Sequence, residues 1–304
     1  MLLLSGGTGT PKLLNGIRQY IPDEEITVIV NTAEDLWVSG NLICPDIDTV
    51  IYLFAGMLDT DKWWGVNQDT FHTHKALKMA GHNEILQVGD RDRATHIMRS
   101  GFIRQGASLS EAVSRTASML DAKANILPMC DEPVSSMITT DENTIHFQEF
   151  WVEKAGRPDV LGVEYRGAQT ASVSDAIKKA IRHESNIIIG PSNPITSIGP
   201  ILAVKGMREL ILSKHVVAIS PIIGYEPVSG PASKLMSACG YEVSSGGVAQ
   251  CYGDLLDVFI IDKQDKEMKS NIKDMDAAVI TADTMMTSSK KSAALARVVL
   301  QQLV

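Results

Sequence analysis

Short runs of branched apolar residues, each giving way to a loop or a helical pattern, recur along the chain. They lie at Leu2 to Leu4, Ile26 to Val30, Ile187 to Ile189, Val216 to Ile219, Val258 to Ile261 and Ala277 to Ile280. A run that is apolar at every position, not at alternate positions, reads as a strand buried on both faces, and such strands belong to parallel sheets. Helical patterns fall between them, at Pro11 to Tyr20, Val173 to His183, Lys205 to Ser213 and Ser288 to Val304. Parallel strands need long crossovers, and helices supply them. The alternation therefore predicts an α/β fold with a Rossmann-like, doubly wound, mostly parallel sheet.

Two stretches break that rhythm. From about 46 to 122, helical patterns follow one another at Asp48 to Ala55, Asp69 to Ala80, Arg91 to Gln105 and Ser110 to Ala122, which reads as an inserted helical cap. From about 133 to 166, two alternating stretches flank Asp141-Glu142-Asn143, the pattern of an inserted β-hairpin. There is no repeat and no low-complexity linker, so residues 1–304 are expected to form one domain carrying both insertions.

With 44% hydrophobic residues the chain can bury a large core, and its formal charge of -8 argues against a non-specific nucleic-acid partner. No apolar run approaches the roughly twenty residues that span a bilayer. Met1-Leu2-Leu3-Leu4 reaches glycine too early for a signal peptide. Cys44, Cys130, Cys239 and Cys251 have neither zinc-site spacing nor the density of a disulfide scaffold, and are expected to be reduced packing residues. A cytoplasmic protein with no membrane or nucleic-acid partner is the resulting expectation.

The first strand turns at once into Ser5-Gly6-Gly7-Thr8-Gly9-Thr10-Pro11-Lys12. Glycines let a backbone approach a ligand closely, and a starting helix offers unpaired N–H groups, so this turn suits a phosphate; a tight strand-to-helix turn is the plainer reading. Gly190-Pro191-Ser192-Asn193-Pro194, with Thr196 and Ser197 beyond it, is a second loop at a strand end, and Pro221 to Gly230 a weaker third. Loops at the carboxyl ends of parallel strands face one crevice.

Asp46 and Asp48 open a helix, where Asp46 would cap it and Asp48 would complement its dipole. That structural reading comes first, but two carboxylates beside a phosphate loop could also hold Mg²⁺, or one of them could accept a proton from an attacking hydroxyl. Gln87 to His96 begins another helix; Arg91 or Arg93 could clamp a phosphate there, with His96 in the same cleft. His72 and His74 lack a third ligand at useful spacing and read as exposed helix residues. Trp63 and Trp64 read first as packing and second as a stacking surface for a flat ring. No Ser-His-Asp or Cys-His arrangement supports covalent catalysis.

Taken in order, Ser-Gly-Gly-Thr-Gly-Thr-Pro-Lys-Leu at 5–13, Asn-Thr-Ala-Glu-Asp at 31–35, Cys-Pro-Asp-Ile-Asp-Thr-Val at 44–50, Gly-Asp-Arg-Asp at 89–92 and Gly-Pro-Ser-Asn-Pro at 190–194 resemble the 2-phospho-L-lactate transferase family. The resemblance implies a Mg²⁺-dependent phosphotransferase of deazaflavin coenzyme F-420 biosynthesis. In that reaction a ribityl hydroxyl of the deazaflavin Fo attacks the lactate-bound phosphorus of lactyl-2-diphospho-5'-guanosine and GMP leaves. It further implies a homodimer.

Carried over residue by residue, the resemblance puts Gly7, Thr8, Gly9, Thr10, Lys12, Ser192, Asn193 and Pro194 on the guanosine diphosphate. It puts Asp48, Gln87, Asn31, Asp35 and His96 near Fo, and makes Asp46 and Asp48 the catalytic and metal-holding pair. One rival reading is a nucleotide-sugar-binding regulator of the same superfamily, which would need the nucleotide loops but not the Asp46/Asp48 site. A nicotinamide-dependent oxidoreductase is disfavoured, because Asn31 stands where an acidic residue would be expected after the second strand.

Overall fold

The computed structural model describes residues 1–268, 272 and 277–303; Val304, the last residue of the expected C-terminal helix, lies outside them. The chain opens with β1 (Leu2–Ser5), α1 (Gly9–Ile17) and β2 (Thr27–Val30), then the hairpin β3 (Leu36–Val38) and β4 (Asn41–Ile43). Four helices follow, α2 (Pro45–Phe54), α3 (His72–Met79), α4 (Asp90–Arg104) and α5 (Leu109–Met119), ahead of β5 (Asn125–Pro128). Next come β6 (Ser135–Thr139), β7 (Thr144–His146) and β8 (Gly162–Arg166), then α6 (Asp175–His183) and β9 (Asn186–Ile189). The remainder is α7 (Gly199–Ala203), α8 (Met207–Ile211), β10 (His215–Ile219), β11 (Ile222–Ile223), β12 (Glu226–Pro227), α9 (Ala232–Ala238), α10 (Ser245–Tyr252), β13 (Val258–Asp262), β14 (Ala278–Ala282) and a C-terminal helix, Ser289–Leu300.

Seven of these strands form one sheet in the order β14-β13-β10-β9-β1-β2-β5, with every neighbouring pair parallel. The all-apolar runs explain it, because successive residues enter opposite cores. Leu2, Leu4, Ile29, Ile187, Ile189, Val216 and Phe259 point into one layer. Leu3, Val28, Val30, Ile188, Val217 and Ile260 point into the other. Chain order reverses between β1 and β9, so their carboxyl ends form the switch-point crevice in which such folds place ligands.

The expected helical cap is only partly separate. Ile47, Val50 and Ile51 of α2 and Val113 and Ala117 of α5 share the sheet's own core with Leu3 and Ile188, so these two helices belong to the layer. α3 buries no residue, while α4 buries Arg93, Thr95, His96, Arg99 and Ser100, a polar inner face. The expected hairpin at 133–166 gains a third strand: β8 pairs antiparallel with β6 on the side away from β7. β5, short and preceded by polar residues, extends the main sheet beyond the runs read from sequence. α1 and the C-terminal helix cross closely at Gly16, where an added Cβ would lie 2.2 Å from the Ser292 carbonyl oxygen.

Candidate active site

The carboxyl ends of β1, β9 and β10 open into a cavity of about 1030 Å³. Its floor is the glycine-rich turn, and two of that turn's glycines, with Gly190 of the second loop, serve packing between loops. A Cβ on Gly9 would meet the Pro191 carbonyl oxygen at 1.8 Å, one on Gly190 the Thr10 hydroxyl at 2.0 Å, and one on Gly6 the Ser197 Cβ at 2.6 Å. Gly7 is different, because its φ of +57° is the left-handed conformation that glycine adopts without a Cβ clash. The seam is closed by Ser192, whose hydroxyl hydrogen-bonds the Gly6 carbonyl, lies 2.7 Å from the Thr10 hydroxyl and accepts the Thr10 N–H at 3.3 Å. Asn193 caps the next turn by accepting from the Ile195 and Thr196 N–H groups.

Of the residues expected on the donor side, Gly7, Thr8, Gly9, Lys12, Ser192 and Asn193 line the cavity. Thr10 and Pro194 are buried behind it. Lys12 is half-buried, which pulls its pKa down, and its ammonium lies 5.7 Å from the centre of the Trp63 ring. Trp63 and Trp64, read first as packing, both face the cavity, and so do Phe147 and Trp151.

Asp46 and Asp48 prove to be different groups. Cys44, not Asp46, is the N-cap of α2. Asp46 turns to the cavity, with one carboxylate oxygen accepting the Gly7 N–H at 2.7 Å and the other the Asn31 amide at 2.9 Å. Burial raises its pKa to about 6 against those two hydrogen bonds. Asn31 also donates to the Thr196 carbonyl and accepts the Ala33 N–H, tying three loops together behind the acid.

Asp48 faces inward. Arg99 grips it through both terminal nitrogens, the second at 3.0 Å, and His96 Nε2 approaches at 3.1 Å while lying equally close to Asp92. Tyr52 donates to the same Asp92 at 2.7 Å. Burial works against charge on both Asp48 and His96, but the Arg99 guanidinium and then His96 outweigh it at Asp48, and the Asp48 and Asp92 carboxylates outweigh it at His96. Asp48 is held well below the usual carboxylate range, and His96 is pushed up to about 9. Asp92, His96 and Arg99 share one face of α4 through their spacing of four and three residues. Arg99 was open to inference from that spacing, but without a partner in view it looked like any other helix cation.

The remaining expected acceptor-side residues are not among those lining the cavity. Asn31 and Asp35 lie beneath it, and Gln87 is exposed elsewhere. Burial raises Asp35 and its neighbour Glu34 well above the carboxylate range, and Glu34 lines the cavity beside Asp46. Arg91 and Arg93 clamp nothing in the crevice: Arg93 forms a two-pronged pair with Glu84 at 2.8 and 2.7 Å, and Arg91 donates to the Asn67 carbonyl. His74 lies against Glu84 at 3.0 Å, less exposed than expected. The Gly-Asp-Arg-Asp motif is a reciprocal cap. Asp90 accepts the N–H groups of His72 and Thr73 at the start of α3, and Asp69 accepts those of Arg91 and Asp92 at the start of α4. Gly89 leaves room for it, since a Cβ there would touch the Asp69 carboxylate.

Two acidic sets bear on a cation. Asp48, Asp92 and His96 offer ligand atoms within 4.8 Å of one another, a set that could hold an ion, although Arg99 already covers Asp48. At the cavity, each oxygen of Asp46 accepts one hydrogen bond and keeps further lone-pair capacity, and Glu34 and Asp61 line the same space. The pair inferred from spacing is thus split, with Asp46 at the crevice and Asp48 in the supporting layer.

The family model described as "2-phospho-L-lactate transferase CofD" matches residues 1–304. A protein of Methanosarcina mazei named 2-phospho-L-lactate transferase is 56% identical over 99% of this chain and 99% of its own length. One of Methanocaldococcus jannaschii with the same name is 42% identical over 98% of this chain and 96% of its own. Among solved structures, a member of the UPF0052 family from Bacillus halodurans superposes with a TM-score of 0.65 at 16% identity, covering 98% of both chains, a likeness of fold.

Proposed function

The chain belongs to the 2-phospho-L-lactate transferase CofD family, and on that premise we propose that this transferase moves the 2-phospho-L-lactate group from lactyl-2-diphospho-5'-guanosine to the deazaflavin Fo. The regulatory alternative finds no support in the relatives, which carry the transferase name. The observation that carries the proposal is the cavity itself: one crevice at the switch point joins a glycine turn, a lysine that forms no ion pair with a described residue, a carboxylate raised to about 6 and an aromatic wall.

In this reading the backbone N–H groups of the turn after β1 and the ammonium of Lys12 receive the diphosphate, and Asn193 meets the guanosine end. Ser192 and Thr10 act by locking the two loops in register. Trp63, Trp64, Phe147 and Trp151 give a flat ring surfaces to stack on. The acceptor's terminal hydroxyl oxygen bonds to the lactate-bound phosphorus, the bond from that phosphorus to the bridging oxygen breaks, and GMP departs with the bridging oxygen. Asp46, ionised at neutral pH, receives the hydroxyl proton. The Asp46 carboxylate, with Glu34 lining the same cavity, would hold Mg²⁺ together with substrate phosphate oxygens. When bound, the ion supplies neutralisation of the phosphate charge. Asp48, His96 and Arg99 fix the helix start that carries Asp46, and the carboxylate of Asp35 is buried beside them.

Incubation with lactyl-diphosphoguanosine, Fo and Mg²⁺, followed by mass spectrometry, tests the proposal. GMP and the phospholactyl deazaflavin are the expected products; absence of both overturns it.

A further inference from the structure

Trp63 is a bulky aromatic residue with φ +64°, in the left-handed region that side chains of its size rarely enter. Strain of that kind persists only where the surroundings over-determine it. Here they do. Asp59 accepts the N–H groups of Asp61 and Lys62 on one carboxylate oxygen, its carbonyl accepts the Trp63 N–H at 2.7 Å, and its own N–H donates to Gly65. Leu58 and Val66, both buried in the core beneath α2, bridge the base of the loop. The ring rests partly on that core, and Lys12 stands against its face.

The cations lining the cavity, among the described residues, are Lys12 and Lys62. Lys62 is paired with Asp59 at 2.9 Å and lies over Trp64. Lys12 makes no ion pair with a described residue and has the Trp63 ring instead. A carboxylate at that point would neutralise the ammonium before an anionic substrate arrived. An aromatic face holds a cation in place and leaves its charge and N–H donors available.

The geometry points to Trp63 as a positioning residue for Lys12: its strained, core-anchored ring presents the ammonium to the diphosphate of the donor. This rests on the donor reading above, because the anion that Lys12 awaits is the one assigned there.

Two measurements separate the two ideas. Reductive ¹³C-dimethylation keeps the lysine charge, and Lys12→Arg identifies the Lys12 methyl resonances. In the ligand-free protein they should lie upfield through the ring current of Trp63 and move to the ordinary dimethyl-lysine position in Trp63→Leu. Binding of GDP should then weaken by about three- to tenfold in Trp63→Leu and in Lys12→Met, and by no more in the double variant than in Lys12→Met. Trp63→Phe should restore most of the loss, with thermal melting confirming that each variant is folded. An unshifted methyl signal in the folded wild type overturns the positioning role and leaves the donor reading intact. Additive losses in the double variant show that Trp63 does not act through Lys12, and overturn it equally. Failure of the wild type to bind GDP overturns the donor reading and the ligand assigned to Lys12, while the ring-current shift still reports the contact.

Discussion

Arg99 holds Asp48 from behind the crevice, one guanidinium nitrogen on each carboxylate oxygen, with both side chains buried. The same guanidinium donates to the Leu42 carbonyl, so one side chain of α4 joins α2 to β4. A buried pair of this kind is costly to break from one side, because the surviving charge stays in the interior.

Arg99→Met is therefore expected to destabilise the protein by about 3 kcal/mol, and the double variant with Asp48→Leu to recover most of that. Urea denaturation midpoints of the two variants check it. Equal losses in the single and double variants would show that the charge pair is not what matters at this position.

Asp46→Asn keeps an oxygen for the Gly7 N–H while removing the proton acceptor. Turnover is expected to fall by about a hundredfold or more, with GDP affinity within about threefold of wild type. Wild-type kcat should rise with pH as Asp46 ionises, at or below about 6 because a bound Mg²⁺ favours the carboxylate, and then level. A flat wild-type profile would remove Asp46 from the proton transfer.

Stability should decline from mildly acidic to alkaline pH. Asp46, Glu34 and Asp35 have folded-state pKa values above those of free carboxyls, so the folded protein holds protons that the unfolded chain would release. Their contribution is present below the ordinary carboxyl range and is lost as pH rises, for Asp46 through about 6. His96, raised to about 9, contributes stability that is complete below the ordinary imidazole range and is lost as pH rises through about 9. Asp48 has the opposite sign, since its depressed pKa gives stability present above the ordinary carboxylate range and lost only in strong acid. Denaturation midpoints at pH 5.5, 7 and 9 should fall in that order, and His96→Gln should flatten the alkaline limb.

Gly9→Ala places a methyl carbon 1.8 Å from the Pro191 carbonyl oxygen, a backbone atom that no rotamer change can move. It should cost about 1–3 kcal/mol and reduce GDP affinity, since the two loops must separate. Thermal melting and GDP titration together check it; a neutral variant would mean that the seam opens freely.

Residues such as Leu2 to Leu4 and Ile187 to Ile189 announce the parallel sheet because burial on both faces requires apolar side chains at every position. The same logic hides α4. Its inner face carries His96 and Arg99 where an amphipathic pattern would carry leucine, so its pattern names a helix but not the side it buries. β5 and β8 escaped for a related reason, being short strands without a long apolar run.

The sequence alone determined the architecture, the glycine turn at 5–12 and, through motifs taken in order, the family, because these depend on local patterns that survive without coordinates. Only the tertiary structure decided which of two aspartates, separated by one residue on the first turn of α2, faces the crevice. Helical geometry turns successive side chains by about 100° per residue, so Asp46 meets Gly7 and Asn31 while Asp48 meets Arg99 and His96. Those partners come from distant segments, and folding alone assigns one carboxylate to the cavity and the other to the interior.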